Sequence, residues 1–183
     1  MPRVDSVITA TQERRLARGA ARGDRRALRV LYEEYSEQLF AVAYRLTESS
    51  AEAQDVLHDV FCRLPAAVQS FDGKRPLGPW LRAVTVRAAL KHLRSPRRRR
   101  EIPIVSIPHE RRTGESPELS VLDSITAERA LSSLPEELRI VVVLKEIEGY
   151  SHAEIGELLQ ISRSTSEGRL YTARKLLHSE LLR

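Results

Sequence analysis

Ser151-His152-Ala153-Glu154-Ile155-Gly156-Glu157-Leu158-Leu159-Gln160-Ile161-Ser162-Arg163-Ser164-Thr165 reads as two short helices joined by a tight turn. Ser151 and Glu154 have the spacing of a capping box, Ile155, Leu158 and Leu159 fall on one face of the helix that follows, and Ser162 is placed to cap a second helix. A helix-turn-helix of this kind lays its second helix in the major groove of DNA. The competing reading is an ordinary helical hairpin packed on the preceding helix. The short helix, the four-residue turn and the Ser-led second helix coincide with Arg163, Arg169, Arg174 and Lys175, which favours the DNA-binding reading.

Upstream of this motif the helical pattern continues. Pro135 stands in the first turn of a segment that carries Leu138, Val141, Val142, Leu144 and Ile147, and residues 125–134 are also helix-compatible. Between these and the first half of the chain lie Pro96, Pro103, Pro108 and Pro117 with Gly114 and several Ser and Thr, where no helical period survives, so residues 96–123 read as a basic, proline-bearing linker. Residues 1–95 predict four helices. Asp24 caps the second, whose Leu28, Leu31, Tyr32, Tyr35, Leu39, Phe40, Ala43 and Tyr44 form one broad apolar stripe. Ser49 with Glu52 offers another capping box, ahead of Ala53, Val56, Leu57, Val60, Phe61 and Leu64, and Pro65 is expected to end or kink that helix. After the turn signal Phe71-Asp72-Gly73, a fourth helix carries Trp80, Leu81, Val84, Ala88, Leu90 and Leu93 inward. The expected fold is all-α: a four-helix domain over residues 1–95, the linker, and a helix-turn-helix domain over residues 124–183.

Composition agrees with a globular helical protein, since 42% of residues are hydrophobic and only 5% aromatic. The formal net charge of +5 makes polyanions plausible partners, and its distribution says more than its sum. From Gly73 to Arg100 there is no Asp or Glu, while Lys74, Arg75, Arg82, Arg87, Lys91, Arg94 and the run Arg97 to Arg100 are basic. A single-sign stretch of that length suits phosphate better than it suits a merely solvated helix. Trp80 beside it reads first as a core residue and second as a platform for an unpaired base.

Asp55, His58 and Cys62 share a helix face, but no fourth ligand follows at a useful spacing, so an exposed acidic edge is the better account and no metal site is expected. Cys62 is the sole cysteine, which excludes an intramolecular disulfide and fits a reducing compartment. No glycine-rich phosphate loop, Ser-His-Asp set or pair of carboxylates in a cleft is evident, so neither enzymatic activity nor a cofactor is expected. No secretory signal is visible and the longest apolar runs, such as Ile140 to Leu144, are too short to span a bilayer, which points to a cytoplasmic protein without membrane insertion.

The order of these features resembles the bacterial RNA polymerase sigma factors of the extracytoplasmic-function group. Gly23-Asp24 followed by Leu31-Tyr32 looks like the opening of the family's first conserved domain. Ala53-Gln54-Asp55-Val56-Leu57-His58-Asp59-Val60-Phe61 looks like its polymerase-binding helix, and Trp80-Leu81 to Arg94 its promoter-melting helix. Leu134-Pro135, Leu144, Glu146, Glu148-Gly149 and Ser151 to Leu177 are similar to the domain that reads the upstream promoter element.

The resemblance implies that Asp55, His58, Asp59 and Phe61 contact the coiled coil of the largest subunit of core polymerase. It implies that Trp80, Arg82, Arg87, Lys91 and Arg94 engage the minus-10 element and its melted strand, and that the recognition helix docks at the minus-35 element through Ser162, Arg163, Ser164, Thr165, Glu167, Arg169, Tyr171 and Arg174. An anti-sigma protein partner is implied by family habit.

The chain departs from the family pattern at Arg87 and Lys91, where Asn and Asp are usual, at Pro65 in place of an aromatic, at Gln160 in place of the turn Gly, and at Ser166 in place of a buried aliphatic residue. Glu167 stands where a base is common; a carboxylate there repels phosphate but can accept from a cytosine amino group. Two other classes of function compete: a sigma mimic that titrates an anti-sigma factor, supported by Gln160 and Glu167, and a plain dimeric helix-turn-helix regulator, which leaves the first domain unexplained.

Overall fold

A computed structural model of the chain describes residues 9–95 and 129–181. Its helices divide into two compact units, and no strand occurs among the described residues. The expected linker and its arginine run lie outside the described residues.

The first unit contains α1 (Ala10–Ala21), α2 (Arg25–Thr47), α3 (Ser50–Ala67) and α4 (Leu77–Leu93), with a short 3₁₀ turn at Val68–Ser70 after α3. α2 is the central element, packed against the other three. Leu31, Leu39, Val42 and Leu46 line its buried side, and Val56 and Leu64 of α3 and Leu81 and Val86 of α4 are buried as well, all at most 2% exposed. The apolar stripe expected on α2 is therefore the spine of the core, except that Tyr32 and Tyr44 remain 49% and 40% exposed.

The caps show where local chemistry sets the helix ends. Thr9 and Gln12 form a reciprocal capping box on α1, and the Asp24 side chain accepts from the Arg26 N–H at 2.9 Å. The Ser49–Glu52 box forms only by half: Ser49 Oγ accepts from the Glu52 N–H at 3.3 Å, but the Glu52 carboxylate turns away and lies 4.0 Å from His92 Nε2 of α4. Pro65 does not end α3 at once. The helix continues to Ala67 before tightening into the 3₁₀ turn, because proline near the last turn forfeits one hydrogen bond while Leu64 and Val68 hold that end in the core.

α4 begins three residues earlier than Trp80, and Pro76 at its N-cap offers no side-chain cap. Glu13 of α1 fills that role. Its Oε2 accepts from the Leu77 N–H at 3.1 Å while its Oε1 accepts from the Tyr35 hydroxyl at 2.7 Å, so one carboxylate ties α1 to α2 and to the N-terminus of α4. Burial, and then this bond to Glu13, push the Tyr35 phenol above its ordinary range. Glu13→Ala leaves the phenol and a helix-terminal N–H without their acceptor. At about 1–3 kcal/mol for each of the two orphaned donors, urea unfolding should show the first unit destabilised by about 2–6 kcal/mol in total.

The second unit contains a helical stretch at residues 129–132, then α5 (Glu136–Val142) running into a π-helical turn (Val143–Ile147), α6 (His152–Leu159) and α7 (Arg163–Leu181). Residues 125–128 of the predicted preceding helix lie outside the described residues. Pro135 is the N-cap of α5 rather than a member of its first turn. α5 and α6 both pack on α7. Ile140, Val141, Val142, Val143 and Leu144 are all buried, a continuous run that a regular α-helix at a surface would not bury. The π turn explains it: the Glu148 N–H bonds the Val143 carbonyl at 2.9 Å, five residues back, and the extra residue per turn rotates the apolar face. The same rotation leaves Ile147, expected inside, 37% exposed.

Candidate functional site

Three surfaces carry the residues that the sequence singles out. The first is the exposed edge of α3. Ala53, Val56, Leu57, Val60 and Leu64 bury one side of this helix, which leaves Asp55, His58, Asp59 and Cys62 outward. Asp59 pairs with Arg63 one turn on at 3.1 Å, both side chains more than half exposed, so the pair adds little stability. His58 Nε2 lies 3.3 Å from Cys62 Sγ, and no set of three metal-ligating groups occurs among the described residues. Phe61 sits on the flank of this edge, half-buried, with its ring edge-on to Tyr32 of α2 at a centroid distance of 4.9 Å. Asp55 and Asp59 are thus bordered by an aromatic pair that is itself partly open to solvent.

The second surface is the outer face of α4. Leu77, Leu81, Thr85, Val86, Ala89, Leu90 and Leu93 are buried, whereas Val84 and Ala88 are only half-buried, so the apolar stripe is rotated from the expected one. Trp80, Arg87, Lys91 and Arg94 recur at seven, four and three residues and share the opposite face. Arg87, Lys91 and Arg94 are exposed, with Arg94 Nε donating to the Leu90 carbonyl at 3.1 Å. Arg82 leaves this group. It precedes the buried Thr85 by three residues and the buried Ala89 by seven, and its Nε is shielded from solvent, so it belongs to the packed side of the helix. Trp80 follows its core reading in part: half-buried, it packs against the core cluster and Phe71 at a centroid distance of 5.5 Å, and it borders the basic face.

The third surface is the helix-turn-helix. The Ser151–Glu154 capping box forms in both directions, with the Ser151 hydroxyl and N–H holding the Glu154 carboxyl below its usual range. Gln160 takes the left-handed conformation at φ 58°, in the turn position where glycine is usual, at the cost that a side chain incurs there. The position where this turn does require glycine is Gly156, whose added Cβ would meet the Ile161 carbonyl oxygen at 2.8 Å. Ser162 Oγ accepts from the Thr165 N–H at 3.0 Å and caps α7, as expected. Ser166 is fully buried between the two helices, and His152 Nδ1 lies 2.9 Å from its hydroxyl, so the polar group is satisfied rather than a defect in the packing.

Ser166, Leu170 and Ala173 turn α7 inward. The opposite face presents Ser164, Gly168, Tyr171 and Lys175, with Thr165 and Thr172 beside them, and Tyr171 is 72% exposed. Three arginines expected at DNA are held by carboxylates instead. Arg163 Nε bonds Glu167 at 2.8 Å within α7, which keeps that carboxyl below its usual range; Arg169 bonds Glu137 of α5; and Arg174 bonds Glu146 at 2.6 Å. Lys175, one of the four basic residues that mark the motif in the sequence though not one of those implied to dock at the minus-35 element, follows Tyr171 by four residues and shares its exposed face.

The Sigma-70 region 2 family model matches residues 31–100, which include most of α2 and all of α3 and α4, and the Sigma-70, region 4 model matches residues 125–177, which include α5, α6 and most of α7. Over 186 aligned residues the chain is 28% identical to the RNA polymerase sigma-H factor of Pseudomonas aeruginosa, with 96% of each covered. It is 30% identical to the ECF RNA polymerase sigma factor SigM of Mycobacterium tuberculosis, with 85% of this chain and 77% of that one covered. Among solved structures it is similar to CnrH in complex with the cytosolic domain of CnrY, at a TM-score of 0.53 and 25% identity, with 94% of this chain and 97% of that one covered.

Proposed function

Because the chain belongs to the extracytoplasmic-function sigma factors, the transcription initiation factors that direct RNA polymerase to promoters, we propose how its three surfaces divide that work. The acidic edge of α3, with Asp55, Asp59, His58 and the Phe61 ring, binds the coiled coil of the largest subunit of core polymerase. The face of α4 with Trp80, Arg87, Lys91 and Arg94 holds the minus-10 element and its melted strand, and α7 docks at the minus-35 element. The observation that carries this reading is the segregation of charge within one small unit: Asp55 and Asp59 face outward on α3, and the exposed charges on the outward face of α4, Arg87, Lys91 and Arg94, are all basic.

Phosphate contacts position a duplex, and unpaired bases stack on aromatic rings, so a basic face with Trp80 at its edge suits both steps of opening. The chain would act without chemistry of its own, in the cytoplasm where its polymerase is. No described helix is long and apolar enough to cross a membrane. At the upstream element the outward Ser164, Thr165, Tyr171 and Lys175 are nearest to bases and phosphates, while Arg163, Arg169 and Arg174 reach DNA only by exchanging Glu167, Glu137 and Glu146 for phosphate. The exposed pairs of Arg163 and Arg174 are weak enough to exchange, whereas Arg169 is itself only partly exposed. A protein partner that holds the factor inactive is also proposed, since CnrH is solved with the cytosolic domain of CnrY.

The test is runoff transcription with core polymerase and a promoter found by footprinting. A promoter-specific transcript that depends on the added chain supports the reading. Core binding without any transcript would turn it toward the sigma mimic, and duplex binding as a dimer without core binding toward the plain regulator.

A further inference from the structure

The first unit carries a second basic surface, outside the edge of α3 and the face of α4. On α1, Arg14 and Arg18 and the C-cap Arg22 follow one another at four-residue steps and Arg15 lies beside them, so that four exposed arginines line one side of the helix and its C-terminal end. With 1.5 Å of rise per residue the ridge is about 12 Å long. Thr11 and these four arginines line one shallow groove. A second groove continues from Arg14 and Arg18 to Lys74 and Arg75 in the turn before α4; its two acids are Glu13 and Asp72, and Asp72 accepts from the Lys74 N–H at 3.0 Å, so the cations outnumber them four to two. The two parts are physically joined, because the stem of Arg14 packs beside Gly73, whose Cβ position lies 3.5 Å from Arg14 Cδ.

Among the described residues the charges in this ridge, on Arg14, Arg15, Arg18 and Arg22, find no carboxylate partner; the bond from Arg14 Nε goes to the carbonyl of Ala10. Glu13, the nearest acid on α1, is engaged by Tyr35 and by the N-terminus of α4. Four like charges within about 12 Å repel one another, and folding gains nothing from placing them together. Protein partners that bind tightly fill the centre of an interface with apolar side chains, and this ridge has none. Its chemistry is that of a track for evenly spaced anions, which guanidinium groups grip with paired hydrogen bonds.

We infer that the arginine ridge of α1, extended by Lys74 and Arg75, is a second binding track for the DNA phosphodiester backbone, independent of base sequence and separate from the face of α4. This inference rests on the proposed promoter function for its setting. DNA held on α4 would then be gripped along two sides of the same unit, which raises affinity through counterion release without adding sequence preference.

The test compares the full chain with an Arg14→Gln, Arg15→Gln, Arg18→Gln variant, and with the corresponding triple Lys variant, in complex with core polymerase on a promoter duplex carrying a pre-melted bubble. Glutamine keeps helix propensity, and circular dichroism confirms that α1 stays folded. Affinity of the Gln variant for this DNA should fall by about tenfold or more near physiological salt, and the slope of log affinity against log salt should become shallower by about 2–3, at 0.7 to 0.9 per lost phosphate contact. The Lys variant should keep most of both. Scrambling the bases of the probe should leave the difference between the wild type and the Gln variant unchanged.

An unaltered slope and affinity in the Gln variant would overturn the inference, as would weaker binding to core polymerase with unchanged binding to DNA, which would make the ridge a protein contact. A parallel titration of the free chain with a scrambled duplex separates this inference from the promoter reading. If the wild type fails to support transcription but its salt slope on that duplex still depends on the arginines, the ridge stands and the promoter reading falls.

Discussion

Asp55→Arg combined with Asp59→Arg should abolish promoter-dependent transcription by removing binding to core polymerase. The two carboxylates are one helical turn apart on the exposed edge of α3, so the double change reverses the sign of a compact patch without touching the core residues Val56, Leu57 and Val60. Close charge pairs across an interface couple by about 1.5 kcal/mol or more each. Two of them therefore correspond to at least about a hundredfold loss in affinity, before any repulsion from the new guanidinium groups is counted. Among the described residues, the interaction that disappears with Asp59 is its exposed pair with Arg63, worth about 0.3–0.5 kcal/mol. Far-UV circular dichroism and the unfolding midpoint should hardly change, while fluorescence anisotropy with labelled chain should show no complex with core polymerase. Transcription that survives the double change would mean that α3 is not the polymerase contact.

The parts of this architecture that local patterns encode were legible from the residues. A stripe such as Leu31, Leu39 and Leu46 can be satisfied only by a helix with one buried side, and Ser151 with Glu154 or Ser162 ahead of Thr165 signals a helix start through hydrogen bonds that span three residues. On α4 the same periodicity places Leu81, Leu90 and Leu93 inside but not the half-buried Trp80, Val84 and Ala88. What could not be read was set by contacts between segments distant in sequence. Glu13 gives no local sign that it will cap α4 sixty-four residues later. Ser166 looked like a flaw in the helix-turn-helix until His152, fourteen residues before it, supplied its partner.

The candidate interfaces followed the same division. Asp55, Asp59, Arg87, Lys91 and Arg94 fall on exposed faces because helical periodicity puts them there. Arg82 reads as one more basic residue in a basic stretch, and only the rotation of α4 against α2 and α3 turns it inward. Arg169 and Arg174 are diverted by Glu137 and Glu146, acids that precede them by 32 and 28 residues. A π turn cannot be foreseen from apolar spacing that suits a regular α-helix, so Ile147 was assigned to the wrong side.

That difference between Arg82 and its neighbours makes the basic face of α4 testable apart from its fold. Arg87→Ala, Lys91→Ala and Arg94→Ala together remove three exposed cations and no buried side chain. With core polymerase present, affinity for promoter DNA should lie below that of the wild type at both 50 and 200 mM salt, with the deficit about 20–40-fold larger at 50 mM, because three lost phosphate contacts make the salt slope shallower by about 2–3. Open-complex formation, followed by permanganate reactivity of unpaired thymines, should be lost at the upper salt concentration and partly restored at the lower. Binding to core polymerase should stay as it was, since the α3 edge is intact. Arg82→Ala should do the reverse, lowering the unfolding midpoint of the first unit while leaving the salt slope within error of the wild type. If the triple variant keeps the full slope and Arg82→Ala loses it, the nucleic-acid contact lies on the other side of α4, and the rotation that separates these residues has been assigned to the wrong face.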